Sequence, residues 1–337
     1  MKPLKLFVQF RKIRIKKAVN LFLLGASFLV SRISGKLVIW GNPVTLSIEP
    51  TNHCNLNCPE CGRSSNENMI KGYMDQLLFN KVLTECSSYL FSLILYFQGE
   101  PFLHHGIFEM IKMASKKQIY TITSTNGQNL NPELANRIVE SGLNEIIISM
   151  DGMDQATYEK YRIGGDIEKV KMGIRNLIES KKVLHKNHPE ITLQFLVFSH
   201  NQHQVNEVRD WGKMTGVDRV TIKTARITDF KGGNPLIPDN KYSRYRQLDN
   251  NKYEIKNKLK NHCWRSWSKS VITWDGNVLP CCFDRKSEHI MGNIKAKSFN
   301  KVWKGDRYKS FRSQVLRDRK AIPMCSNCTV GVIYSVK

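Results

Sequence analysis

The chain has 337 residues, 41% of them apolar, which is ordinary for a packed globular protein and excludes a fibrous or wholly disordered chain. Its 52 Lys and Arg against 29 Asp and Glu give a formal charge of +23, which favours anionic partners: phosphorylated substrates, nucleic acid or an acidic lipid surface. Nine cysteines (Cys54, Cys58, Cys61, Cys86, Cys263, Cys281, Cys282, Cys325 and Cys328) fall in short-range sets; in a chain long enough to bury a stable core, this favours metal binding in a reducing compartment over a disulfide framework.

Residues 1–40 form a basic, apolar segment. Lys2, Lys5, Arg11, Lys12, Arg14, Lys16, Lys17, Arg32 and Lys36 surround the run "LFLLGASFLV", with no acid among residues 1–36. The run is too short to span a bilayer unaided. A signal-peptide reading is disfavoured, because export would carry a thiolate site into an oxidising compartment. Two readings stay open: a basic helix lying on an anionic membrane face, and a helix packed on the protein's own surface.

Residues 41–225 alternate strand and helix. The strand runs are "VTLSIE", "SLILYFQ", "IYTITS", "NEIIISM", "ITLQFLVF" and "DRVTIK", with helical spacing near 75–88, 106–117, 131–141, 166–184 and 203–214. This order predicts an α/β fold with a parallel sheet. The strand runs are nearly continuous in apolar residues, so both faces should be covered, as in a curved sheet or partial barrel. Ligands in such folds sit at the carboxyl ends of the strands. "QGEP" (98–101), "STNG" (124–127), "SMDG" (149–152) and the loop "EPTNHCNLNCPECGRS" (49–64) all fall there.

That loop holds Cys54, Cys58 and Cys61 at C-x3-C-x2-C spacing. Structural zinc wants four ligands in a closed tetrahedron. A 4Fe-4S cube can take three thiolates and leave its fourth iron open. His53 adjoins Cys54 and is expected to point away from the loop's interior.

With these motifs the chain resembles the radical SAM enzymes over about Val44 to Val220. The resemblance implies a partial (β/α)6 TIM-like barrel, a 4Fe-4S cluster held by Cys54, Cys58 and Cys61, and S-adenosylmethionine (SAM) chelating the open iron. Reductive cleavage of SAM then gives a 5'-deoxyadenosyl radical that abstracts hydrogen from substrate. It also implies cofactor contacts from Gln98, Gly99, Glu100 and Pro101, where Gln98 replaces a glycine, and from Asn126, Ser149, Asp151, Arg162 and Leu196. Ser149, Asp151 and Arg162 look like residues that meet the SAM ribose and carboxylate. A guanidinium is well shaped to clamp a carboxylate in two places. Glu60 stands where the family commonly has an aromatic residue against adenine, so adenine must be held differently at that edge, with help from the fifth strand at Phe195 to Val197.

Residues 226–262 read as a linker, "TDFKGGNPLIPDN", followed by a Lys-, Asn- and Tyr-rich helical connection. Residues 263–337 open with Cys263 and a hairpin pattern, "SVITWDGNVLPCC", and end near Cys325-x2-Cys328. A C-x2-C pair with two further cysteines has the spacing of a closed four-ligand site, with zinc or iron-sulfur both possible from spacing alone. The arrangement Cys263, Gly276-x4-Cys281, Cys325 and Cys328 resembles a shortened, "twitch" form of the SPASM domain. This implies a small α+β domain with one auxiliary 4Fe-4S cluster on four cysteines. Neighbouring residues of an extended segment face opposite ways, so only one of Cys281 and Cys282 can face the cluster; Cys281 fits the resemblance. Cys282 and Cys86 are then small buried residues, and Trp303 and Phe311 core.

The resemblance implies an oxidoreductase or maturase acting on a peptide or carbohydrate-like substrate, reduced by a donor such as flavodoxin or ferredoxin. Its location is expected to be cytoplasmic, with residues 1–36 offering a peripheral contact to the inner membrane face. Two other classes compete. A nucleic-acid modifier is suggested by charge and by Tyr253, Trp264 and Trp267 among cations, but no RNA-binding module is legible, and nucleic acid is not the expected partner. A noncatalytic zinc scaffold at a membrane would contain zinc without sulfide.

Overall fold

The computed structural model describes residues 15–64, 69–248 and 251–328. The basic residues before Ile15 lie outside the described residues. Helix α1 (Ile15–Ser34) is followed by strand β1 (Thr45–Ile48), α2 (Gln76–Cys86), β2 (Ser92–Ile94), α3 (Ile107–Lys116), β3 (Tyr120–Thr125), α4 (Pro132–Glu140) and β4 (Glu145–Ser149). After a short α5 (Gln155–Glu159) come α6 (Ile167–Val183), β5 (Glu190–Val197), α7 (Val205–Thr215) and β6 (Arg219–Thr224).

Strands β1 to β6 pair in sequence order, all parallel. Side chains on one face of the sheet, among them Leu46, Ile48, Leu93, Ile146, Ile148, Leu193 and Phe195, are buried with apolar residues of the helices in one core. Local sequence fixes the helix starts: Asp75, Asn131 and Asp166 accept hydrogen bonds from the first free amides of α2, α4 and α6. Gly216 ends α7 at φ +86, where a side chain would be strained.

Beyond β6 the structure corrects one expectation. Residues 226–262 contain no helix among those described; strands β7 (Tyr245–Gln247) and β8 (Tyr253–Ile255) pair antiparallel instead. The driving contact is remote in sequence. The buried Tyr245 hydroxyl accepts from Ile227 N at 2.9 Å and donates to Asn327 Oδ1 at 3.0 Å, while Asn327 Nδ2 donates to Ile227 O at 2.7 Å.

The C-terminal part comprises α8 (Trp264–Ser268), β9 (Lys269–Ile272), β10 (Asn277–Leu279), β11 (Gly292–Asn293), α9 (Phe299–Trp303), α10 (Asp306–Asp318) and α11 (Pro323–Ser326). Strands β9 and β10 form the expected hairpin, with Gly276 at φ +89 in its turn. Strand β9 also pairs parallel with β1, from Thr45 opposite Lys269 to Ile48 opposite Ile272. One nine-stranded sheet therefore runs through both halves of the chain, in the order β11-β10-β9-β1-β2-β3-β4-β5-β6.

Candidate active site

The carboxyl ends of β1 to β5 surround a cavity of about 250 Å³. Cys54, Cys58 and Cys61 line it from the loop after β1, and Gln98, Gly99 and Glu100 from the loop after β2. Asn126, Ser149, Arg162 and Leu196 complete the set of expected residues that reach it. Pro101 and Asp151 do not line it. Pro101 instead starts a 3-10 turn behind Glu100.

Asp151 is fully buried beneath Arg162. Its Oδ2 accepts from Arg162 Nε at 2.7 Å and lies 2.5 Å from Nη2, while Oδ1 accepts from the Leu196 amide at 2.7 Å. A carboxylate so engaged orients the guanidinium and ties β4 to β5. The third guanidinium nitrogen, Nη1, points at Cys58 Sγ, 3.7 Å away.

Backbone packing fixes the two loops against each other. Glu100 N donates to His53 O at 2.7 Å, and a Cβ on Gly99, at φ +73, would meet Thr51 O at 2.5 Å and His53 O at 2.6 Å. Only glycine fits there. His53 stacks on Tyr73, ring centroids 4.6 Å apart, and stays out of the cavity. Glu100, also buried, accepts from Thr125 Oγ1 at 2.9 Å and from the Asn126 amide at 2.8 Å. Burial pushes its carboxyl up to about 7, against the pull of those hydrogen bonds. Asn126 Nδ2 in turn reaches Asn55 Oδ1 at 2.7 Å and Cys54 Sγ at 3.7 Å. Burial raises the thiols of Cys54 and Cys58, and the Arg162 charge opposes this at Cys58.

Sequence reasoning missed two features here. The Glu60 carboxylate accepts from both the amide and the hydroxyl of Thr228, each at 2.8 Å, so it anchors the cysteine loop to the segment after β6. Arg285 also lines the cavity; its Nη1 donates to Glu60 O at 2.7 Å and its carbonyl accepts from Gln98 Nε2 at 2.8 Å. These partners are separated by 187 and 225 positions, and no local pattern announces them.

A second, smaller space of about 20 Å³ is lined by Cys263, Cys281, Cys325 and Cys328 together with Arg265 and Arg319. Arg319 Nη2 donates to Cys328 Sγ at 3.3 Å. Cys282 does not line it. Its side chain is exposed, within 3.5 Å of Arg265 Nη1, which corrects the expectation of a buried residue; Cys86 is fully buried. Phe311 belongs to the core but also lines this space, whereas Trp303 is buried away from it. Trp264 and Trp267 pack on Phe28 of α1, at 5.2 and 5.4 Å, instead of lining the four-cysteine space.

Among the described residues no three His, Cys, Asp or Glu side chains close on one point at single-ion spacing. Two sets of thiols, each with guanidinium groups nearby to offset thiolate charge, are the donor chemistry of iron-sulfur clusters.

Fold and site together define an iron-sulfur enzyme of the parallel-barrel type, with one open and one closed cysteine set. Residues 48–211 match the radical SAM superfamily and residues 263–329 match an iron-sulfur cluster-binding domain, SPASM. The chain belongs to the radical SAM superfamily and carries a SPASM-type domain; SAM and 4Fe-4S clusters are its cofactors.

Among curated proteins it is 26% identical over 317 residues to the tungsten-containing aldehyde ferredoxin oxidoreductase cofactor-modifying protein of Pyrococcus furiosus, covering 85% of this chain and 87% of that one. It is 22% identical over 288 residues to the S-adenosyl-L-methionine-dependent 2-deoxy-scyllo-inosamine dehydrogenase of Niallia circulans, covering 84% and 91%. Among solved structures, Streptococcus suis SuiB bound to precursor peptide SuiA shares the fold, with a TM-score of 0.63 at 15% identity over 85% of this chain and 69% of that one.

Proposed function

We propose that this radical SAM enzyme oxidises or otherwise modifies a carbohydrate-like or peptide substrate. In this reading Cys54, Cys58 and Cys61 hold the SAM-binding cluster, and Cys263, Cys281, Cys325 and Cys328 hold one auxiliary cluster. When bound, the first cluster and SAM supply one-electron reductive cleavage and hydrogen abstraction from substrate.

The protein's own part is positional. Arg162, fixed by Asp151, presents a guanidinium to the cavity for the SAM carboxylate. The Gln98 to Glu100 loop, Asn126, Ser149 and Leu196 provide the remaining polar and apolar walls, with Leu196 the residue that would meet adenine. The buried floor restricts water beside a reactive centre and holds the substrate C–H in one orientation.

The observation that carries the reading is the chain segment from Cys281 to Arg285, which runs from the closed cysteine set to the wall of the open one. Four residues reach at most about 14 Å. The one electron that a substrate radical must still lose, along with a proton, after hydrogen abstraction would thus have a short route to the auxiliary site, with an external donor such as flavodoxin or ferredoxin serving the first cluster. The named activities of the Niallia and Pyrococcus relatives support a carbohydrate-like or cofactor-like substrate, and the SuiA complex of SuiB supports a peptide. A reducing, cytoplasmic setting suits the thiolate sites.

The test is anaerobic reconstitution followed by incubation with SAM and dithionite. We expect 5'-deoxyadenosine to form, and to form faster with the true substrate class when peptide and aminocyclitol panels are compared. A protein with both clusters loaded that yields no 5'-deoxyadenosine would sink the reading.

A further inference from the structure

Helix α1 is built inside out. Its buried residues are Lys17, Asn20, Leu24, Ser27 and Ser31, four of them polar. Each polar one is held. Lys17 Nζ donates to Gln118 O at 3.2 Å, and Asn20 exchanges hydrogen bonds with the Asn42 backbone at 3.0 and 2.8 Å. Ser31 Oγ accepts from Val38 N at 2.8 Å, and Ser27 Oγ donates to Leu24 O at 2.9 Å.

The opposite stripe is apolar and open: Ile15, Val19, Phe22, Leu29 and Ile33 are 83%, 50%, 74%, 53% and 77% exposed. At about 3.6 residues per turn the two stripes lie roughly half a turn apart. A surface helix of a soluble protein normally turns its apolar stripe inward. The fold gives this outer stripe nothing to pack on among the described residues, and so large an exposed apolar surface marks a docking face.

We propose that α1 docks on an anionic phospholipid surface, lying in the plane of the interface with the stripe from Ile15 to Ile33 inserted. The charges select this occupant. Exposed Lys16 and Arg32 fall on the two flanks of the stripe, Lys36 follows, and no acid occurs anywhere from Met1 to Ile48. Cations so placed reach headgroup phosphates while the apolar residues enter the acyl boundary. Trp40, 49% exposed beside the helix, suits the same boundary.

A second copy of the chain fits less well, because a two-fold contact through this stripe would bring two sets of cations together with no acid to pair them. A helix of 20 residues is long enough to cross a bilayer. Crossing, however, would break the bonds of Lys17 and Asn20 to the rest of the protein. Those bonds reach Gln118 and Asn42, just ahead of β3 and β1, so the lipid contact is made at the amino-end rim of the barrel. The cysteine loop lies at the other end of β1, leaving the cavity to be reached from the aqueous side.

Flotation of the full-length reconstituted protein with vesicles tests this. We expect it to float with vesicles of phosphatidylcholine and phosphatidylglycerol in equal parts, and roughly tenfold less with pure phosphatidylcholine. The double change Phe22→Glu and Ile33→Glu should lower flotation at least about tenfold, with thermal melting and SAM cleavage unchanged; Ile33→Asn alone, a milder change, should give an intermediate loss. The proposal is overturned if wild type stays unbound to anionic vesicles or if the double variant floats equally well. It is also overturned if lipid-free protein self-associates through this face and the same changes abolish that association.

Discussion

The two cysteine sets differ in a way that separates their chemistry. Cys54, Cys58 and Cys61 sit on one loop at the wall of a roomy cavity, whose lining also includes Arg162 and Gln98 to Glu100. Cys263, Cys281, Cys325 and Cys328 come from three separate places in the chain and line a much smaller space together with Arg265, Arg319 and Phe311. Three thiols beside a cavity leave room for an exogenous ligand, whereas four thiols around a small space leave little. The proposed division of labour, SAM at the first set and electron transfer at the second, rests on that difference.

The largest effects should come from breaking one set while sparing the other. Cys58→Ala should lower SAM cleavage by more than about a thousandfold and drop iron from about eight to about four per chain. Cys325→Ala should remove a similar amount of iron yet keep SAM cleavage, with product formation uncoupled from it. Iron and sulfide analysis with 5'-deoxyadenosine assays distinguishes the two. If Cys325→Ala also abolishes cleavage, the division of labour is wrong.

Within the four-cysteine set, Cys281→Ser should lose the auxiliary cluster signal in electron paramagnetic resonance while Cys282→Ser keeps it, since of the two only Cys281 lines the space. A subtler change on the open side is Arg162→Lys. It keeps the charge but loses the two-point grip on Asp151, and SAM affinity should weaken roughly ten- to a hundredfold by calorimetry, with cluster content intact.

The smallest effect on activity, a change confined to stability, lies at the seam between the two regions. Glu49 is buried after β1, and its Oε2 accepts from the Trp274 amide of the β9–β10 turn at 3.3 Å. Burial pushes its carboxyl up to about 8 from an ordinary 4.5. Between those values the folded protein keeps a proton that the unfolded chain has lost, so stability falls as pH rises through the window and stays low above it. Glu49→Gln should remove that loss, on the order of a few kcal/mol, raising the melting temperature clearly at pH 9 and little at pH 5.

Much of the open site was legible because its residues follow strands in order. Apolar runs such as "NEIIISM" announce β4, which Ser149 closes and Asp151 follows. What the letters could not give was direction. Asp151 reads as a cofactor contact but turns inward to hold Arg162, and Glu60 reads as an odd replacement yet finds Thr228. The segment 226–262 differs from its expected helix because a Lys-, Asn- and Tyr-rich stretch has no apolar period, and one of its anchors, Tyr245, finds its partner at Asn327, far along the chain. Arg285 was invisible for the same reason, since its neighbours at the cavity come from the other end of the chain.

The ladder between β9 and β1 has a mechanical meaning. Parallel backbone bonds from Thr45 to Ile48 weld the C-terminal part to the very stave that ends in the cysteine loop, so those two walls cannot swing apart like the halves of a clam. The opposite margin of the sheet, at β6, has no such ladder; there Glu60 accepts from Thr228 and Arg226 donates to the Phe283 carbonyl. At that margin side chains do the fastening that backbone pairing does at the β9–β1 seam.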